Sequence, residues 1–250
     1  APIVTAMHNE TVTADDIELI TKRLEERFDI TMNLGAIFAE AYRPWLAGVK
    51  GDIDWFYWNR YRRQMVESKL PPNVILTTDW VTDQILDHME NPNKKGKWSR
   101  RGMVVGHVQS GKTANYIGLV NKAADSGYRV IIVLAGTLNS LRSQTQIRVD
   151  SGFIGKDSSI PQKPYIGVGL LASDKTPAYF TTSTSDFKKS IANSIGVGIE
   201  GLKEPAILVI KKNKSTLTNL IDWLKHSTKY NLQNHPMLLI DDEADNASIN

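Results

Sequence analysis

An α/β fold with a mostly parallel sheet is predicted by three features of this sequence. Short, uninterrupted apolar runs stand at Met103 to Val105, Val130 to Ala135, Ala206 to Ile210 and Met237 to Ile240. Unbroken apolarity at strand length suits strands covered on both faces, as in a parallel sheet flanked by helices. Between the first two runs, Thr113 to Ser126 is helical in composition and is closed by Gly127, so strand, helix and strand follow within about thirty residues, the length of one βαβ unit. Ahead of this core, residues 1–75 read as a helical N-terminal region, leaving 76–250 for the α/β domain.

Taken in order, Thr13 followed by Asp16 marks a helix start, after which Ile17, Ile20, Leu24 and Phe28 share one face. From 42 to 61 aromatics crowd together: Tyr42, Trp45, Trp55, Phe56, Tyr57, Trp58 and Tyr61, interleaved with Arg43 and Arg60. Such a cluster can stack on bases or pack a helix core, and core packing is the expectation. Trp55 to Val66 reads as a helix. Pro71 and Pro72 then break the chain and set the boundary near residue 75. The next helix is expected over Trp80 to Met89, ended by the turn at Asn91, Pro92 and Asn93. Residues 151–204, rich in Ser and Thr and punctuated by Pro161, Pro164 and Pro177, read as a long, partly irregular insertion.

Composition narrows the chemistry. The 250 residues are 41% hydrophobic and 23% charged, a balance that excludes a disordered or fibrous chain. Cysteine is absent, which removes disulfides, thiolate zinc sites and cysteine nucleophiles. His8, His88, His107, His226 and His235 stand too far apart for a helical metal-ligand pair. No apolar run approaches the roughly 18 residues that span a bilayer, and the first residues lack a secretion signal's basic head, so a cytoplasmic protein with no membrane partner is expected. Net charge is only +3, but no acid falls between Glu90 and Asp125, while Lys94, Lys95, Lys97, Arg100, Arg101, Lys112 and Lys122 do. That stretch is either a solvated basic surface or a place where an anion is held.

Within it, Gly106, His107, Val108, Gln109, Ser110, Gly111, Lys112 and Thr113 spell G-x-x-x-x-G-K-T. A polyphosphate must meet several backbone N–H groups at once, so the loop needs glycines where the backbone turns and approaches closely. The following helix aims its N-terminal dipole at the anion, Lys112 reaches the β and γ phosphates, and the Thr113 hydroxyl ligates Mg²⁺. The expected ligand is therefore Mg-ATP, cradled by Gly106, Gln109, Ser110, Gly111, Lys112 and Thr113. The last apolar run leads into Asp241, Asp242, Glu243, Ala244 and Asp245. Carboxylates at the carboxyl end of such a strand sit at the sheet edge beside a phosphate loop, where one can hold Mg²⁺ and its neighbour can activate water.

The phosphate loop followed by Asp242 to Asp245 resembles the nucleotide-binding half of superfamily 2 helicases. That resemblance implies a RecA-like P-loop NTPase core, with Asp242 as the magnesium carboxylate, Glu243 as the catalytic base and Asp245 as a coupler. Asp241 competes with Asp242 for the metal role, and the choice stays open at this point. Thr137, Arg142 and Gln144, with Arg148 on the same basic segment, resemble the polar residues with which such helicases contact a strand backbone; as a plainer alternative they cap and solvate a helix. Gln84 is a candidate adenine reader, and Trp98, Arg100 or Arg101 could instead stack on the base. More closely, Val105 to Thr113, Leu134 to Thr137 with Leu141 to Gln146, Val209 to Asn213, and Ile240 to Ser248 resemble the Z-one domain family, bacterial helicase-like proteins commonly labelled endonucleases and found beside restriction and phage-defence genes. The resemblance covers most of 75–250 and implies a DNA-directed ATPase with restriction or defence partners. It also implies further strands and a second RecA-like domain beyond residue 250, so the chain is expected to be the N-terminal portion of a longer protein and poor at turnover alone.

Two further motifs do not hold. Asp54 with Glu67 and Lys69 has the D…E-x-K spacing of a metal-dependent nuclease, but a helix between them would separate the acids. Gly196 to Gly201 matches a dinucleotide G-x-G-x-x-G, but Pro205 follows where a helix should run. The rivals to a DNA-directed ATPase are an ATP-dependent endonuclease component and a nucleotide-dependent switch that binds proteins.

Overall fold

The computed structural model describes residues 42–105, 112–160, 162–194, 198–228, 234–242 and 244. The helix expected from Thr13 and the Ile240 to Ser248 phrase beyond Asp242 lie wholly or largely outside them. Among the described residues three helices come first: α1 (Leu46–Val49), α2 (Phe56–Glu67) and α3 (Pro72–His88). Then follow α4 (Lys112–Ser126), β1 (Val130–Ala135), α5 (Asn139–Val149), a π-helical turn at Asp150–Ile154, β2 (Ala178–Tyr179), α6 (Lys189–Ser194), β3 (Ala206–Ile210), α7 (Lys214–Ser227) and β4 (Met237–Asp242).

The strands form one parallel sheet in the order β2-β3-β1-β4. Val130 pairs with Ala206 on one side and Met237 on the other, and Ala135 reaches Asp242. Alternation then sorts each strand by face. Ile131, Val133, Ile207, Val209 and Leu238 join the core beneath α2, α3 and α4. Val130, Ile132, Ala206, Leu208 and Ile210 join a second core around Trp223 of α7, with Phe180 and Phe187. Burial of each such side chain is worth about 1.5–3 kcal/mol, which explains why β1 and β3 carry no polar residue.

Three expectations change. Met103 to Val105 forms no strand: it is irregular, and Met103 and Val105 are 84% and 81% exposed. An apolar run reports a preference for burial, and no described strand pairs with this one. Second, the helix expected over Trp80 to Met89 begins at Pro72, because proline at the first helical position has its φ preset and lacks a donor that would be unsatisfied there anyway. The boundary near residue 75 thus falls inside α3. Third, the insertion at 151–204 is not merely irregular: β2 within it pairs with β3, and the Thr181 hydroxyl accepts the Val209 N–H at 2.9 Å, prolonging that edge.

The aromatic cluster is core. Tyr57, Trp58 and Tyr61 are buried, and α2 is held on α4 by Asp125, whose two carboxylate oxygens accept the N–H groups of Tyr57 and Trp58 at 2.9 and 2.8 Å. These are donors that the first turn of a helix leaves without partners. Asp54 and Glu67 flank opposite ends of α2, roughly 18 Å apart by helical rise, so they form no nuclease centre. At Ile199–Gly201 there is a single 3-10 turn. No helix of the described residues is long and apolar enough to cross a membrane.

Candidate functional site

The site is set by how α4 returns to the sheet. Its C-terminus turns through Gly127 directly into β1, so the helix runs antiparallel to the strands. Fifteen helical residues span about 22 Å and β1 about 20 Å, which brings the amino terminus of α4, at Lys112, level with the carboxyl ends of β1 and β4. The residues before it, Gly106, Gln109, Ser110 and Gly111, lie outside the described ones, and Lys112 and Thr113 are placed by their backbone only.

At that same edge β4 ends in Asp241 and Asp242, in register with Leu134 and Ala135. Alternation puts the two carboxylates on opposite faces of the sheet. Asp242 follows Leu238 and Ile240 onto the α4 face. Asp241 follows Leu239 onto the α7 face, where the Lys212 ammonium lies 2.6 Å from its Oδ1. Tyr116, one turn into α4, registers the arrangement. Burial, reinforced by the negative charge of Asp242, pushes its phenol up to about 12, while Thr145 and Arg148 of α5 pull it the other way. Tyr116, Asp242, Thr145 and Arg148 therefore form one cluster across α4, β4 and α5. From the sequence Arg148 is expected only on the basic segment after β1, and Tyr116 carries no expectation. A tyrosine three residues after the G-K-T triplet was the available signal, but its partner was invisible without the register.

The residues expected to meet a strand backbone separate. Thr137, at the end of β1, and Gln144, on α5, are exposed at this edge. Arg142 is not: it is 3% exposed, and its guanidinium donates to the carbonyls of Thr182 and Ser183 at 2.8 and 2.9 Å. Two residues from Gln144 is about 200° around a helix, so one faces out when the other faces in. Arg142 is corrected to a clamp that holds the Ser/Thr-rich insertion. Beside it, Gln146 donates to Asp150 at 2.8 Å and accepts from Thr181 at 2.7 Å.

Gln84 is not brought to the site. Its neighbour Asp83 meets Lys122, ten residues along α4 from Lys112 and so roughly 15 Å from the helix amino terminus. Trp98 packs edge-on against Tyr128 near the far end of the helix, while Arg100 and Arg101 are exposed. Glu243 and Asp245 lie outside the described residues. Comparison with family models, curated proteins and solved structures gives no match.

Proposed function

We propose that this chain is a RecA-like P-loop domain that binds Mg-ATP and couples its hydrolysis to DNA. One observation carries the reading: the amino terminus of α4 and the acid-bearing end of β4 meet at one edge of a parallel sheet, with Asp242 on the helix side. A helix amino terminus favours an anion, and a hard carboxylate oxygen close by suits magnesium. The donor set thus fits the group that the G-x-x-x-x-G-K-T sequence calls for.

Magnesium, when bound, neutralises phosphate charge. For the rest, the chain's own residues act. Backbone N–H groups of 106–111 and the Lys112 ammonium bind the phosphates, Thr113 and Asp242 hold the metal, and Glu243 accepts a proton from the attacking water. Thr137 and Gln144 are exposed polar residues at the same edge and are assigned to the DNA backbone.

Phosphate release by the wild-type chain and by Lys112→Ala and Glu243→Gln, with and without single- and double-stranded DNA, tests this. Loss of turnover in both variants, with nucleotide binding kept in Glu243→Gln, is expected. Plasmid nicking that needs Mg²⁺ and persists in Lys112→Ala would favour the endonuclease instead, and nucleotide affinity with no turnover and no response to DNA would favour a protein-binding switch.

A further inference from the structure

Two adjacent carboxylates at the end of an edge strand pose a problem of choice. Among the described residues β4 pairs only with β1, so its last residues are held from one side. Either acid can serve a cation, and both together repel. Lys212 stands where this is resolved. Its own N–H donates to the Gly136 carbonyl, just past β1, at 2.8 Å, and the next residue, Asn213, caps α7 by accepting from Ser215 and Thr216. The backbone of Lys212 is thus fixed on both sides before its side chain, only 10% exposed, reaches Asp241 at 2.6 Å.

We propose that Lys212 is a positioning residue for the acid pair: by engaging Asp241 on the α7 face it withdraws that carboxylate from the metal and fixes the end of β4 so that Asp242 presents to the α4 face. This rests on reading the edge as a magnesium-nucleotide site. It also accounts for Asp241 itself, which is the anchor for Lys212 and not a second ligand. Because Lys212 also holds Gly136, the same residue ties the segment carrying Thr137 to the acid pair.

The test is the Mg²⁺ dependence of affinity for a fluorescent, non-hydrolysable ATP analogue, measured on the full chain together with thermal unfolding. Lys212→Met is expected to raise the Mg²⁺ concentration for half-maximal effect about tenfold, the order by which loosening the surroundings that orient a metal ligand lowers affinity, with metal-free affinity unchanged. Lys212→Arg keeps the charge and restores most of the loss. Should Lys212→Met not fold, Asp241→Asn breaks the pair from its more exposed side and should raise the requirement in the same direction. An unchanged requirement in a folded variant, an equal loss of metal-free affinity, or no rescue by arginine overturns the proposal. A wild-type chain with no affinity for the analogue at any Mg²⁺ concentration overturns the nucleotide reading as well, which separates the two failures.

Discussion

Lys122 has its ammonium at 1% exposure, bonded to Asp79 and Asp83 at 2.5 and 2.6 Å and lying 4.3 Å from the Trp58 ring centroid. It belongs to the acid-free basic stretch, yet it faces inward and joins α4 to α3 and α2. Removing one partner of a buried pair strands the other charge, and because Asp79 keeps some contact with water the cost should sit at the low end, about 3 kcal/mol. Urea denaturation of Lys122→Met measures it, and a loss under about 1 kcal/mol would mean the pair is dispensable. Arg142 is the same lesson at another position. Both are cations that the sequence offered to an anion and that folding uses as internal clamps. Charge tells how costly burial is, and only spacing around a helix tells which side is buried: Gln144 and Arg148, four apart, share the outer face of α5, whereas Arg142 falls between the Thr182 and Ser183 carbonyls.

At the scale of elements, α2 depends on an acid from another helix. Burial pushes the Asp125 carboxyl up to about 7, against the pull of the Trp58 and Tyr57 N–H groups, with Asp54 adding to the rise and Lys175 opposing it. Between the ordinary carboxylate value of about 4 and 7, the folded chain binds a proton at Asp125 that the unfolded chain has released. Stability from this group therefore falls as pH rises through that window and is level above it. The melting temperature should be higher at pH 5 than at pH 8, and Asp125→Asn should flatten that slope; an unaltered slope would assign it elsewhere. The strands β1 and β3 were legible because their apolar runs are both long enough and buried, and β4 was legible from the same apolarity although Met237 and Leu239 are exposed on its outer face. Met103 to Val105 has the same apolarity without a partner among the described residues, and β2 is too short and polar in its surroundings to be seen from sequence. Pro72 was read as a break because proline both ends and begins helices, and only the buried Thr78, Thr82 and Leu86 face of α3 decides between them.

For the whole molecule, the order β2-β3-β1-β4 with α4 on one face and α7 on the other makes one edge of the sheet the meeting place of a helix amino terminus, two carboxylates and the exposed Thr137 and Gln144. The sequence supplied the candidates for that edge, since Lys112, Thr113 and Asp242 stand out by residue type and order alone. It could not supply the sorting of Asp241 from Asp242, which comes from strand alternation combined with Lys212 arriving beside β4 from the end of β3, nor the removal of Gln84, which comes from the parallel packing of α3 on α4. Equilibrium titration of the wild-type chain and Lys112→Ala with a non-hydrolysable ATP analogue in Mg²⁺ tests the reading of this edge most directly. Saturable binding by the wild type, weakened at least about tenfold in Lys112→Ala, is the predicted result, the size expected for one charge-assisted contact to phosphate. Equal affinity in the two proteins, or none in either, would contradict it.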